Sequence, residues 1–194
     1  MYGIYENGKV IAKFAAPMTV KSNQPVSVSD TLSLSRQISR RAAQRWEITS
    51  NLMPLSDDAQ DLFVSLVTKG FSETVQVLMP QNYGVIKKRT NSETGTASGN
   101  KDGTQVNINV SGLLPKGSFV KFDSHSKVYI TTNDVSGSGV VGVFPPLRAA
   151  VSGTVYCKDN VLMNCFYDTD TVSGMVYSDG ILMDMGTVTL IERL

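Results

Sequence analysis

The chain has 194 residues, 41% of them hydrophobic and 18% charged, and a formal net charge of +1. That is enough apolar material for a core and too little charge for a disordered chain. The near-neutral balance gives no whole-molecule attraction to nucleic acid or to a membrane surface.

The charge is nevertheless uneven. Residues 1–50 hold seven basic side chains against three acidic ones, and residues 145–194 hold three basic against six acidic. These are either ordinary solvated surfaces or complementary faces that meet between neighbouring copies. Met1–Ala16 contains no continuous apolar stretch of the signal-peptide kind, and no segment reaches the roughly 20 apolar residues of a membrane helix. The expectation is a chain made in a cytoplasm, with no membrane partner.

In chain order, Tyr2–Tyr5 and Lys9–Phe14 flank Glu6-Asn7-Gly8, and Asn-Gly is the strongest short-range hairpin signal. Residues 17–43 contain Pro17, Pro25 and many serines, and predict an extended arm or long loop that orders against a partner. Gln44–Leu52 alternates, with Trp46, Ile48 and Leu52 on one face, and predicts a strand. Ser56 then caps a predicted helix at about 57–69, whose Ala59, Leu62, Phe63, Leu66 and Val67 form one apolar stripe before Gly70.

Glu73–Met79 predicts a strand, and residues 87–103 a loop. Thr104–Val110, Ser118–Phe122, Lys127–Thr132, Val140–Phe144, Gly153–Lys158, Val161–Tyr167, Met175–Tyr177 and Thr187–Glu192 predict short strands. Turns are predicted at Asn133-Asp134, Ser136–Gly139 and Ser178–Gly180. The fold class is therefore mainly β: barrel or sandwich units with one helix and an extended N-terminal arm. The division expected is a hairpin and arm over 1–43 and a β-rich domain over 44–194, with a possible sub-boundary near 87–103.

The residues that could carry chemistry do not form a set. Gly137-Ser138-Gly139-Val140-Val141-Gly142 matches a dinucleotide-binding string, but Pro145 and Pro146 forbid the helix that must follow it. Asp168 and Asp170 begin a calcium-loop pattern that fails at Val172 and Ser173. His125 stands between Ser124 and Ser126 in a predicted turn, with no other histidine to share a metal. Cys157 and Cys165 fit neither a redox pair nor a zinc pair and predict reduced, half-buried strand residues. Lys21, Arg36, Arg40 and Arg41 lack the interleaved aromatics of a nucleic-acid surface. No catalytic residue, metal or cofactor is assigned.

Gln44-Arg45-Trp46-Glu47, followed by the Pro54-Leu55 pair and an Asp/Ala-rich segment, resembles small tail proteins of tailed bacteriophages. One subgroup of these, in contractile tails, is called the ripcord protein. The likeness continues in Pro115–Phe122, Lys127-Val128-Tyr129 and Phe144-Pro145-Pro146-Leu147-Arg148, and spans roughly residues 44–194. Related sequences often place Gly-Asp where this chain has Gly117-Ser118, so no contact through that Asp is carried over. The resemblance implies a virion structural protein at the junction of tail tube and baseplate. It implies a ring with six-fold symmetry, partners in tube, hub and wedge proteins, and no catalysis or cofactor.

On this reading Arg36, Arg40, Arg41 and Arg45 are the expected interface contacts to acidic neighbours. The alternative is a carbohydrate- or peptide-binding β-module with Tyr156, Phe166, Tyr167 and Tyr177 as an aromatic platform near Asp168 and Asp170. A hydrolase using Asp168, Asp170 or Asp179 is a third reading.

Overall fold

The computed structural model describes residues 3–6, 9–30, 36–40, 43–54, 74–81, 94–168, 176–178, 181–184 and 186–194. The described chain is mainly β. The predicted N-terminal hairpin forms from β1 (Gly3–Glu6) and β2 (Lys9–Phe14). The segment 17–43 differs from the expected arm. It contains β3 (Thr19–Asn23), which joins the main sheet, and a separate hairpin of β4 (Val26–Asp30) and β5 (Arg36–Arg40). Neither Pro17 nor Pro25 lies within a strand, so both are compatible with these ladders.

The strand β6 (Arg45–Pro54) organises the first layer, with β7 (Val75–Leu78) following it in the chain. The helix expected at about 57–69 lies outside the described residues. So do Arg41 and residues 87–93 of the expected 87–103 loop.

The next strands, β8 (Thr94–Gly99), β9 (Gln105–Leu114), β10 (Phe119–Phe122), β11 (Val128–Thr131), β12 (Val135–Phe144) and β13 (Val151–Tyr156), form a closed barrel in the order β10-β11-β12-β9-β8-β13. The order β13-β10-β11-β12 within it is a Greek key. Its interior is filled by the inward set of each strand, including Val106, Ile108, Val120, Phe122, Tyr129, Val141 and Val155.

A 3-10 turn (Lys158–Asn160) leads to β14 (Leu162–Tyr167). The hairpin β15 (Val176–Ser178) and β16 (Ile181–Asp184) follows, and then β17 (Thr187–Glu192).

The sheet of β17, β14, β7, β1, β2, β6 and β3 also closes. Thr49 pairs with Thr19 of β3 and with Thr189 of β17, so those two strands flank opposite edges of β6. The chain continues from β2 along the β3 edge, where the Ala15 amide donates to Asn51 O at 2.9 Å. On the other edge the Leu52 amide donates to Gly186 O at 3.3 Å. The ladder β6-β2-β1-β7-β14-β17 therefore returns to β6, forming a second barrel with β3 extending it. Ile4, Ala12, Ile48, Leu52, Val77, Met163, Cys165, Val188 and Leu190 fill it. Closure pairs the strands of the ring on both sides, and β3 stands at the end of the sheet beside β6.

The division expected between residues 43 and 44 passes through this first barrel, because β1–β3 pair with strands beyond it. The barrel of residues 94–156 is instead an insertion between β7 and β14, which pair directly (Leu162↔Leu78 to Cys165↔Val75). The insertion thus leaves and re-enters the first barrel on neighbouring strands.

Two further expectations change. Ser136–Gly139 is part of β12 rather than a turn, with a bulge between Ser136 and Ser138 where Gly137 takes φ +69°. That disposes of the dinucleotide string, which is strand throughout. Thr94–Gly99, expected as loop, is β8. Its only fully inward side chain is Ala97. Gly95 admits no side chain there, because a Cβ would stand 2.3 Å from the Asn109 carbonyl oxygen of β9.

Candidate functional site

The two barrels meet along the β10–β11 hairpin, which is buried on both faces. Val120, Phe122 and Tyr129 enter its own barrel, whereas Phe119, Val128 and Ile130 pack on the core of the first. Trp46 crosses the junction. Its indole N–H donates to Val128 O at 2.8 Å, and its ring meets Phe119 edge-on at 5.2 Å. Gln81 acts as a short strand, its amide exchanging hydrogen bonds with Phe119 N at 3.0 Å and Phe119 O at 3.1 Å.

An ion pair lies at the centre of this junction. Glu192 follows Val188 and Leu190 on the inward parity of β17, and its side chain is 0% exposed; that of Lys127 is 1% exposed. The Glu192 carboxylate accepts from Lys127 Nζ, from the Trp46 amide at 3.1 Å and from the Val128 amide at 2.8 Å. Burial draws the Lys127 ammonium below the usual lysine range, and Glu192 pulls it back up. The carboxylate joins strands from residues 46, 127–128 and 192, so it is a cross-link rather than an exposed acid.

The sequence-derived interface residues fall as follows. Arg36 and Arg40 occupy alternate positions of β5, in register with Asp30 and Val26. Arg45 is exposed at the start of β6, opposite Asn23. Arg41 lies outside the described residues.

A surface that sequence reasoning missed lies on the inserted barrel. The four adjacent strands β12, β9, β8 and β13 contain no charged residue. Their outward positions include Thr96, Ser98, Asn107, Asn109, Ser138 and Val140, with Val140 50% exposed. They border a shallow depression of about 630 Å³. The signal was present as four charge-free strand segments, but their adjacency is a product of the long-range pairing of β9 with β12 and of β8 with β13.

On the other side of the inserted barrel a cleft of about 480 Å³ opens between the barrels, lined by residues of β7, β10, β13, β14 and the 3-10 turn. His125 borders it within a hydrogen-bonded chain. Tyr129 Oη accepts the Arg148 amide at 3.1 Å and lies 2.6 Å from His125 Nε2, while His125 Nδ1 lies 2.9 Å from Ser124 Oγ.

Burial, with Arg148, Lys121 and Lys127 nearby, holds His125 below the usual histidine value. A depressed folded value means that the unfolded chain binds the proton first. Stability is therefore complete above the unfolded value and is lost as pH falls through the folded one. The expected result is that melting temperature falls on acidification from about pH 7 to pH 5, and that His125→Phe flattens the fall. Parallel profiles for the two proteins would contradict this.

The remaining candidates separate. Tyr167 is buried in the first core, so the expected aromatic platform does not form around it; Tyr156 lines the cleft. Tyr177 is placed by backbone register alone, Phe166 and Asp168 are half-buried on and just after β14, and Asp170 and Asp179 lie outside the described residues. Neither Cys157 nor Cys165 forms a disulfide among the described residues, and both are fully rather than half buried, one in each core. Burial, with Glu192 nearby, pushes the Cys165 thiol well up, which makes it inert. Among the described residues no group of acidic, histidine and cysteine side chains could hold a metal ion, and no helix is long and apolar enough to cross a membrane. No known protein-family model matches the chain, and no curated protein matches it.

Proposed function

We propose that this chain is a structural subunit of a bacteriophage tail, placed where the tail tube meets the baseplate and assembled as a ring with its own copies. The observation that carries the reading is the charge-free outer face of β12, β9, β8 and β13. Outward faces of solvated sheets ordinarily carry Lys and Glu, whereas the centres of protein interfaces are depleted of charge because desolvating it is costly. A polar but uncharged face is cheap to bury against another protein.

The resemblance adds to this. Three of its segments, scattered in sequence, converge on the junction, where Trp46 bonds Val128 and packs on Phe119; the fourth packs into the inserted barrel, with Leu147 fully buried and the Arg148 amide donating to Tyr129. Arg36, Arg40, Arg41 and Arg45 remain the proposed contacts to acidic neighbours. Deleting residues 17–43 would remove β3 from the first barrel, so charge reversal by Arg36→Glu with Arg40→Glu is the cleaner perturbation of that region.

The test is Asn107→Arg with Ser138→Arg. Exposed positions tolerate such changes within about 0.5 kcal/mol each. The melting temperature is expected to stay near that of the parent chain while incorporation into purified virions, followed by immunoblot, is lost. Normal incorporation of the double variant, or absence of the parent chain from virions, would overturn the reading.

A further inference from the structure

We propose that the cleft between the two barrels is a binding site for a neutral carbohydrate. This inference goes beyond the tail reading and does not rest on it. The cleft lies where two folded units meet, a favoured place for ligand sites, and its volume falls within the range of such sites.

Its chemistry is mixed in a specific way. Lys121 and Asp123 line it from β10 and the turn after it, two positions apart. Lys121 Nζ donates to Leu162 O at 2.8 Å, which spends one of its three N–H groups. Asp123 accepts only a long bond from Tyr156 Oη at 3.3 Å through its side chain. Gln76, Asn160 and Asn164 add amides from β7, the 3-10 turn and β14.

A cation and an anion side by side give no net preference for a charged ligand, because attraction to one is offset by repulsion from the other. A sugar hydroxyl both donates and accepts, and so satisfies Asp123 and Lys121 together. The Tyr156 ring supplies an apolar surface for the C–H face of a pyranose while its hydroxyl holds Asp123 in place. Primary amides, which also donate and accept, extend the same match around the cleft.

The experiment is saturation-transfer difference NMR of the full chain with maltotriose, lactose and diacetylchitobiose at millimolar concentration. A sialylated trisaccharide, a sugar phosphate and an unstructured peptide serve as comparison arms. Transfer to at least one neutral sugar is expected. Tyr156→Ala and Asp123→Asn are each expected to weaken it at least tenfold in titration while circular dichroism and melting temperature hold. Binding that survives both substitutions, binding confined to the charged sugars or the peptide, or no transfer to any neutral sugar would overturn the proposal. These outcomes do not bear on virion incorporation, so the two readings fail separately.

Discussion

Glu192→Ala is expected to cost about 3–5 kcal/mol, the range for removing one partner of a buried ion pair. The loss has three parts. Lys127, 1% exposed, keeps a desolvated ammonium with its carboxylate gone. The Trp46 and Val128 amides lose their acceptor. Each such buried, unsatisfied group costs about 1–3 kcal/mol.

Melting should fall by roughly 10 °C for a chain of this length. A second variant separates charge from shape: Glu192→Leu with Lys127→Met removes both charges and leaves only the two orphaned amides. It is expected to recover part of the stability lost by the single change. If the double variant is as unstable as Glu192→Ala, the electrostatic account of the junction is wrong.

Trp46→Ala is expected to cost a similar amount, about 3–5 kcal/mol for a large aromatic side chain removed from a core. Trp46→Phe keeps much of the contact with Phe119 but strands the Val128 carbonyl, and should cost about 1–3 kcal/mol. The order of the two variants is the prediction, read as denaturation midpoints. Equal losses would mean that the hydrogen bond across the junction dominates and the packing contributes little.

Trp46 is the single tryptophan of the chain, so its emission reports this junction alone. In Glu192→Ala the red shift of that emission should precede the loss of far-ultraviolet dichroism, because the contact between the barrels opens before either barrel melts. Coincident transitions would mean that the barrels unfold as one unit.

The cleft and the uncharged face place different demands on the same insertion. The insertion keeps β10 and β11 for the junction, while Tyr156 of β13 reaches the cleft and the uncharged face lies on β12, β9, β8 and the far part of β13. The doubly buried hairpin explains why Phe119-Val120 and Val128-Tyr129-Ile130 are apolar at successive positions. Each alternate position serves a different core, so both parities are apolar and the period-two signal weakens.

Elsewhere the period survives and was legible. Trp46, Ile48 and Leu52 share one face of β6 as their spacing predicts, and Thr187–Glu192 shows the inward parity that carries Glu192 inside. The Asn7-Gly8 pair correctly announced β1 and β2. What failed was where side chains are small or polar. Thr94–Gly99 has no large apolar residue to mark a strand, and β3 to β5 are short and polar, with Pro25 between β3 and β4. Such segments are held by the ladder of a neighbour rather than by their own burial.

The sequence by itself determined that this is a β protein, which parity of most strands faces inward, and that no familiar catalytic string survives inspection. These properties are local, since alternation and turn chemistry act over a few residues. Only the tertiary structure decided that there are two closed barrels, one inserted in the other. It alone brought Lys127 to Glu192 across 65 positions, and four uncharged strands to one face. Strand pairing at long range depends on which partners complement each other once the chain has collapsed. The hydrophobic pattern of a single strand states only that it must pair, not with which strand.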